Sequence, residues 1–391
     1  MARSTWFAAT GAIILGAAAL VVSTPARPDG PVTLRNEVAV KADGVVVDAF
    51  TLLPDGRAAI LVGVKGKLDE ENPVFPPSTD PAGVMIDLDK RAATPFVNGH
   101  TGPIRGLGRS ADGRRVYTIG QGKDAVVRVW DAASGKTTVF ADFTKEVSTE
   151  LQPTLCVVNG SDRVAVELDK RIAIVGAGGK GRVDLTHPDF DKTVVSDPTV
   201  SPDGSVLVCR TFRGKILAWE VKTGKLLAEV MVDPGGGADF NKWRTSDTKF
   251  MPGTSDLLVC RYTSESDVPE GQEEGQVAAE RRAVWAVDLE KKAVRPLGLG
   301  HTNHTYRMAV HPGGRWLALV GISRGEGEFK DKPGSVGEVR IYDLPTRTLA
   351  LKRQYADFYP MWVEFSADGR RLACASPDGE VRAWNFVAPA K

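Results

Sequence analysis

The chain has 391 residues, 42% of them hydrophobic, which suffices for one large all-β domain or two ordinary domains. Its 50 Lys and Arg against 49 Asp and Glu leave almost no net charge. Phosphate contacts supply most of a nucleic-acid binder's affinity, and no basic excess or stripe is present here, so nucleic acid is excluded as an expected partner.

At the N-terminus, Arg3 precedes an apolar run from Trp6 to Val22, followed by Ser23-Thr24-Pro25-Ala26. A basic start, an apolar stretch and small residues at its end describe an export signal over residues 1–26. The run is slightly long for a signal core and slightly short for a membrane span. The first reading is a cleaved signal and the alternative an uncleaved N-terminal membrane anchor. Both place the remaining chain outside the cytoplasm: periplasmic, secreted, or extracytoplasmic and anchored. Residues 27–33 read as a linker and 34–391 as the folded domain.

Through that domain a tight-turn signal recurs seven times, at Pro54-Asp55-Gly56, Ala111-Asp112-Gly113, Asn159-Gly160-Ser161, Pro202-Asp203-Gly204, Pro252-Gly253-Thr254, Pro312-Gly313-Gly314 and Ala367-Asp368-Gly369. Asp-Gly and Asn-Gly suit hairpins because these residues tolerate positive φ. Each turn is followed by a second apolar strand, at 84–87, 127–131, 172–175, 216–220, 284–288, 339–343 and 381–385. Strict alternation in several of these predicts strands packed between two neighbours. Seven turns with seven matching strands predict seven copies of one antiparallel unit.

The segment from Gly99-His100 to Trp130-Asp131 resembles a nearly complete WD repeat. Gly300-His301 to Tyr342-Asp343 resembles a second, interrupted copy, and Phe365 to Trp384-Asn385 a third without Gly-His. The resemblance implies an all-β fold: a seven-bladed β-propeller of four-stranded antiparallel blades. The chain stops after the third strand of the last blade, so Thr33–Val40 (TLRNEVAV) is expected to supply the fourth and close the ring. The resemblance further implies that His100 joins a buried network with Thr118, Asp124 and Trp130, and that His301 occupies the corresponding place in its own blade. Cys209 and Cys374 fall at the same place in their repeats, with Cys260 close to it. Neighbouring sheets stack roughly 10 Å apart, whereas a disulfide needs Cα atoms within about 7 Å. Cys156, Cys209, Cys260 and Cys374 are therefore expected as free, buried thiols.

Three motif matches read as accidents. Ser134-Gly135-Lys136-Thr137 resembles the end of a phosphate-binding loop, but Trp130 stands where its first glycine belongs and a strand follows. Gly176-Ala177-Gly178-Gly179-Lys180-Gly181 meets the dinucleotide pattern, yet strand-like alternation follows instead of a helix. Gly321-Ile322-Ser323-Arg324-Gly325 matches a nucleophile elbow, but the last histidine, His311, precedes the serine, whereas that fold needs its histidine later. His301 and His304 lie three apart without a carboxylate set to complete a metal site. The cysteines fit neither zinc nor haem spacing, so no catalytic set, metal or cofactor is expected.

The repeats are longer than usual for this family, and the excess lies in three second-to-third strand connections, 64–83, 263–282 and 322–337, in blades 1, 5 and 6. In this architecture those loops share one face with the connections between blades. There the sequence offers Trp243 and Arg244, His304, Tyr306 and Arg307, and Phe358, Tyr359 and Trp362. Trp, Tyr and Arg often carry interface energy; packing between blades is the competing role. Residues 265–280 form an acidic stretch read as a solvated loop. The expected function is a non-catalytic scaffold that binds a protein or peptide partner on this face, with membrane contact only through the N-terminal segment. The alternative is a propeller enzyme, of hydrolase, lactonase or redox type, with its site at the axial mouth.

Overall fold

The computed structural model describes residues 32–67, 79–96, 98–132, 134–149, 151–191, 195–211, 214–232, 244–254, 256–262, 284–301, 304–330 and 335–389; for 195–196, 244–246 and 261–262 it describes the backbone alone. These residues form seven four-stranded antiparallel sheets, the blades of a propeller. Blade 1 runs outwards through Val45–Leu52, Ala58–Lys65, Pro81–Asp87 and Ala92–Pro95, and blade 2 through Ile104–Arg109, Arg115–Gly120, Val126–Asp131 and Thr137–Asp142. Blades 3 and 4 begin with inner strands Leu155–Val158 and Val195–Val200 and end with Val183–Leu185 and Leu226–Met231. Blades 5 and 6 begin with Arg244–Phe250 and His304–Val310 and end with Ala293–Leu299 and Thr348–Tyr355. Blade 7 holds Trp362–Phe365, Arg371–Ala375 and Glu380–Val387, and its outer strand is Thr33–Lys41 from the other end of the chain.

Each inner hairpin is built as its residues dictate. Gly56, Gly113, Gly160, Gly204, Gly253, Gly314 and Gly369 all take φ near +70°, between 69° and 74°. In blades 2, 4 and 7 a serine that opens the hairpin (Ser110, Ser201, Ser366) donates its hydroxyl to the turn aspartate and accepts the amide of the residue five further on. Middle strands are almost wholly buried because each packs between two neighbouring sheets; Ile60, Val164, Leu207, Leu317 and Leu372 are fully enclosed.

Closure follows the expected route. Thr33 pairs with Val387 and Lys41 with Glu380, with a shift in register between Arg35 and Val38. Val32 and Leu34 enter the apolar cluster between blades 6 and 7, and Val40 enters the one between blades 7 and 1. Lys41 adds an ion pair to Asp378 at 2.6 Å.

In the complete repeat His100 meets Thr118 and Asp124 as expected, whereas no hydrogen bond joins Trp130 to them among the described residues. His100 Nδ1 bonds Asp124 at 2.8 Å and Nε2 bonds the Thr118 hydroxyl at 2.9 Å, with the imidazole fully enclosed. Burial would raise the Asp124 carboxyl, but the His100 hydrogen bond and the amides of Thr101 and Gly102 outweigh it and hold it below the ordinary range. Trp130 packs against Phe96 at 5.1 Å between ring centroids. His100→Ala is expected to cost about 3 kcal/mol, because two buried partners lose their bonds; urea denaturation measures it.

Blade 6 departs from this pattern. Leu319 stands at the level of Thr118, and Tyr342 replaces Trp130, donating its hydroxyl to the Gly300 carbonyl at 2.8 Å. His301 turns instead to the Thr305 hydroxyl at 3.0 Å and the Glu338 carbonyl at 3.2 Å, and burial pushes its pKa well below the usual value. Ser323, the serine of the elbow match, is fully buried mid-sheet and donates to Glu338 at 3.0 Å. The other two matches also resolve into turns. Gly135 takes φ 69° just before the outer strand Thr137–Asp142, and the 176–181 glycines form a short 3-10 turn before Val183–Leu185. All four cysteines are free; Cys209, Cys260 and Cys374 are buried, whereas Cys156 is half-buried beside the axis, which corrects the expectation of full burial there.

Candidate functional site: the axial channel and its mouth

The seven inner strands line an axial channel of about 570 Å³. Five of them carry a bulge near the end remote from the hairpin, where their pairing with the second strand skips a residue. Asp48, Arg105 and Tyr306 are single extra residues at such points, and Asp197-Pro198 occupies the corresponding place in blade 4. A bulge redirects side chains next to it. Asp48, Arg105 and Asp197 accordingly line the channel, as do Asp247, Lys249, Arg307 and Glu364.

These charges link blades to one another. Arg105 reaches back to Asp48 of blade 1 at 2.8 Å. Asp197 takes Arg210 from its own sheet and Arg307 from blade 6 at 3.5 Å, across the front of blade 5. Burial would raise the Asp197 carboxyl, but the two guanidiniums outweigh it and hold it well below the usual carboxylate range. Buried Asp247 accepts the amides of Thr248 at 3.0 Å and of Met308, in blade 6, at 2.9 Å, and pairs with Lys249 at 3.3 Å. Glu364 of blade 7 accepts the Leu52 amide at 3.0 Å and the Thr51 hydroxyl at 3.2 Å, joining blade 7 to blade 1. On the second strand of blade 3, Arg163–Leu168, Glu167 accepts the Thr154 hydroxyl at 2.6 Å, and burial pushes its carboxyl up to about 8.

The residues singled out from the sequence fall into distinct settings. Arg307 and half-buried Trp362 line the channel in adjacent blades. Tyr306 is the bulged residue beside Arg307, and His304 stacks on it at 6.4 Å. Tyr359 is 43% exposed and donates to the Ser335 carbonyl at 3.4 Å. Phe358 is buried, with the Arg382 guanidinium 4.7 Å from its ring and 5.0 Å from that of Tyr355. The Arg244 backbone opens the inner strand of blade 5, Trp243 lies outside the described residues, and most of the three long connections do too. Sequence reading missed the channel acids. One signal was there: Asp197, Asp247 and Arg307 each stand four residues ahead of the residue that opens their hairpin, Ser201, Met251 and His311.

Radial four-stranded sheets around a polar channel, the last completed by the opposite chain end, define a β-propeller. With a His100–Asp124–Thr118 network inside the Gly-His to Trp-Asp segment of blade 2, the chain is a β-propeller that carries WD-type repeats. The model of the WD domain, G-beta repeat, matches residues 93–131 and 360–385. No curated protein sequence matches. Among solved structures the chain is similar to the Myceliophteria thermophila Cps50 (Swd1) β-propeller domain, at 13% identity and TM-score 0.57, over 89% of this chain and 99% of that one. It is also similar to Kuenenia stuttgartiensis hydrazine synthase, at 15% identity and TM-score 0.61, over 90% and 98% of the two chains. At these identities the likeness concerns the fold. Repeats and fold together support a protein-interaction scaffold in general.

Proposed function

We propose that this chain is an exported, non-catalytic scaffold that binds a protein or peptide partner on the face carrying the long loops of blades 1, 5 and 6. The observation that carries the reading is the concentration of extra length between the second and third strands of blades 1, 5 and 6, at 66–80, 263–283 and 325–334 rather than the 64–83, 263–282 and 322–337 expected from sequence, connections that leave the ring at one end. Loops held on a rigid frame are where binding usually resides. The inner strands of blades 6 and 7 enter from the same end beside Tyr306 and exposed Tyr359. Most channel charges are committed to links between strands, which fits a frame better than a catalytic set. Capture from the native envelope or secreted fraction tests this. Replacing Trp243, Tyr306 and Tyr359 with alanine should abolish capture and leave the thermal unfolding midpoint within a few degrees of the parent; undiminished capture would count against the loop face.

The second reading, an enzyme with chemistry at the axial mouth, draws on the perturbed Glu167 carboxyl beside channel-lining Thr154. A metal or cofactor retained by the purified protein would favour it.

A further inference from the structure

Arg109 ends the inner strand of blade 2 at the hairpin end of the channel, four residues from Arg105. That spacing puts the two about 13 Å apart along the strand. At the corresponding level the other six inner strands present Leu52, Val157, Val200, Phe250, Val310 and Phe365, all uncharged. Every other cation lining the channel is matched: Arg105 by Asp48, Lys249 by Asp247 and Arg307 by Asp197. Half-buried Arg109 makes no side-chain hydrogen bond or ion pair with any described residue. Protein walls focus the field of an unpaired charge, and a guanidinium is shaped to take a carboxylate through two parallel N–H bonds.

We propose that the hairpin end of the channel is a binding site for a single carboxylate group, with Arg109 as its cation. Glu364 lies one residue level further in, and its negative charge disfavours multiply charged anions such as phosphate relative to a monoanion. The site opens at the end opposite the long loops, so it is separate from the partner face proposed above and stands or falls independently of it. A free carboxylic acid and the C-terminus of a peptide share this chemistry.

The test uses the full chain labelled with 15N-arginine, titrated at constant ionic strength with sodium acetate, with sodium phosphate, and with trialanine as the free acid or the C-terminal amide. One arginine Nε signal should shift saturably with acetate, with a Kd in the millimolar range, and at least tenfold more weakly with phosphate. R109Q should abolish the response, R109K should retain it in weakened form by a change in thermal stability, and R370Q, on an exposed hairpin, should leave it unchanged. A response to free-acid trialanine that exceeds acetate and vanishes in the amide identifies a peptide terminus as the source; equal responses identify a small acid. No saturable shift, or one that persists in R109Q, would overturn the proposal.

Discussion

A chain lacking residues 33–41 is expected to lose about 5–8 kcal/mol of stability and to associate through the edge it exposes. Val32, Leu34 and Val40, between 4% and 7% exposed, are the apolar anchors of that segment. Each buried side chain of this kind contributes about 1.5–3 kcal/mol, and removing the strand strips Val32 of its setting as well. The third strand of blade 7, Glu380–Val387, would present unpaired backbone along its length, a template for pairing with a second molecule. Equilibrium denaturation and gel filtration measure both effects. Unchanged stability in a monomeric truncation would mean that blade 7 is held by its other neighbours alone. A full chain with Leu34→Ala should show a partial loss of about 2–4 kcal/mol without the exposed edge.

Glu167 is expected to withdraw stability from the ring as pH rises from about 4.5 to about 8, and Glu167→Gln should remove that contribution, whereas buried His301, kept neutral in the folded chain, acts in the opposite direction below its ordinary value. Burial raises the Glu167 carboxyl to about 8 from its ordinary 4.5, in spite of the Thr154 hydrogen bond. Between those values the folded protein keeps a proton that the unfolded chain has released. The contribution is therefore complete below the unfolded pKa and is lost progressively as pH climbs through the folded one. At about 1.4 kcal/mol per unit, ionising this 5% exposed side chain costs on the order of 5 kcal/mol. Glutamine keeps the acceptor for Thr154 and carries no charge. The variant should match the parent near pH 4.5 and exceed it by a few kcal/mol above pH 8. Denaturation curves that stay parallel from acid to alkaline pH would place Glu167 in a wetter setting than its surroundings imply.

The blades were readable from sequence because each repeats two local signals, a hairpin that demands positive φ and an alternating strand that demands two apolar neighbours. Glycines 56, 113, 204 and 369 and the strands carrying Trp130, Trp219 and Trp384 announce themselves one unit at a time. The polar channel did not, because its chemistry is assembled from side chains far apart in the chain. Asp197 and Arg307 meet only once the ring exists, as do Glu364 and the Leu52 amide. Bulges add a second obstacle, since alternation assigns the wrong face to any residue beyond a skipped position such as Asp48 or Tyr306. Blade 6 shows the limit of motif transfer. Gly300-His301 repeats the dipeptide of blade 2, but Leu319 has replaced the hydroxyl that would hold the imidazole in the same way.

The pairing of Thr33 with Val387 also sets a timetable for acquiring the native state. A polypeptide delivered N-terminus first must carry its earliest β-segment unmated while six complete sheets form behind it. Only when residues 380–387 emerge can that segment dock, so the circle stays a horseshoe until then, and the loop to be closed runs from residue 42 to residue 379. During that interval two raw borders face the surroundings, which makes the slowest step of maturation also the one most exposed to capture by chaperones or by another copy of the same chain.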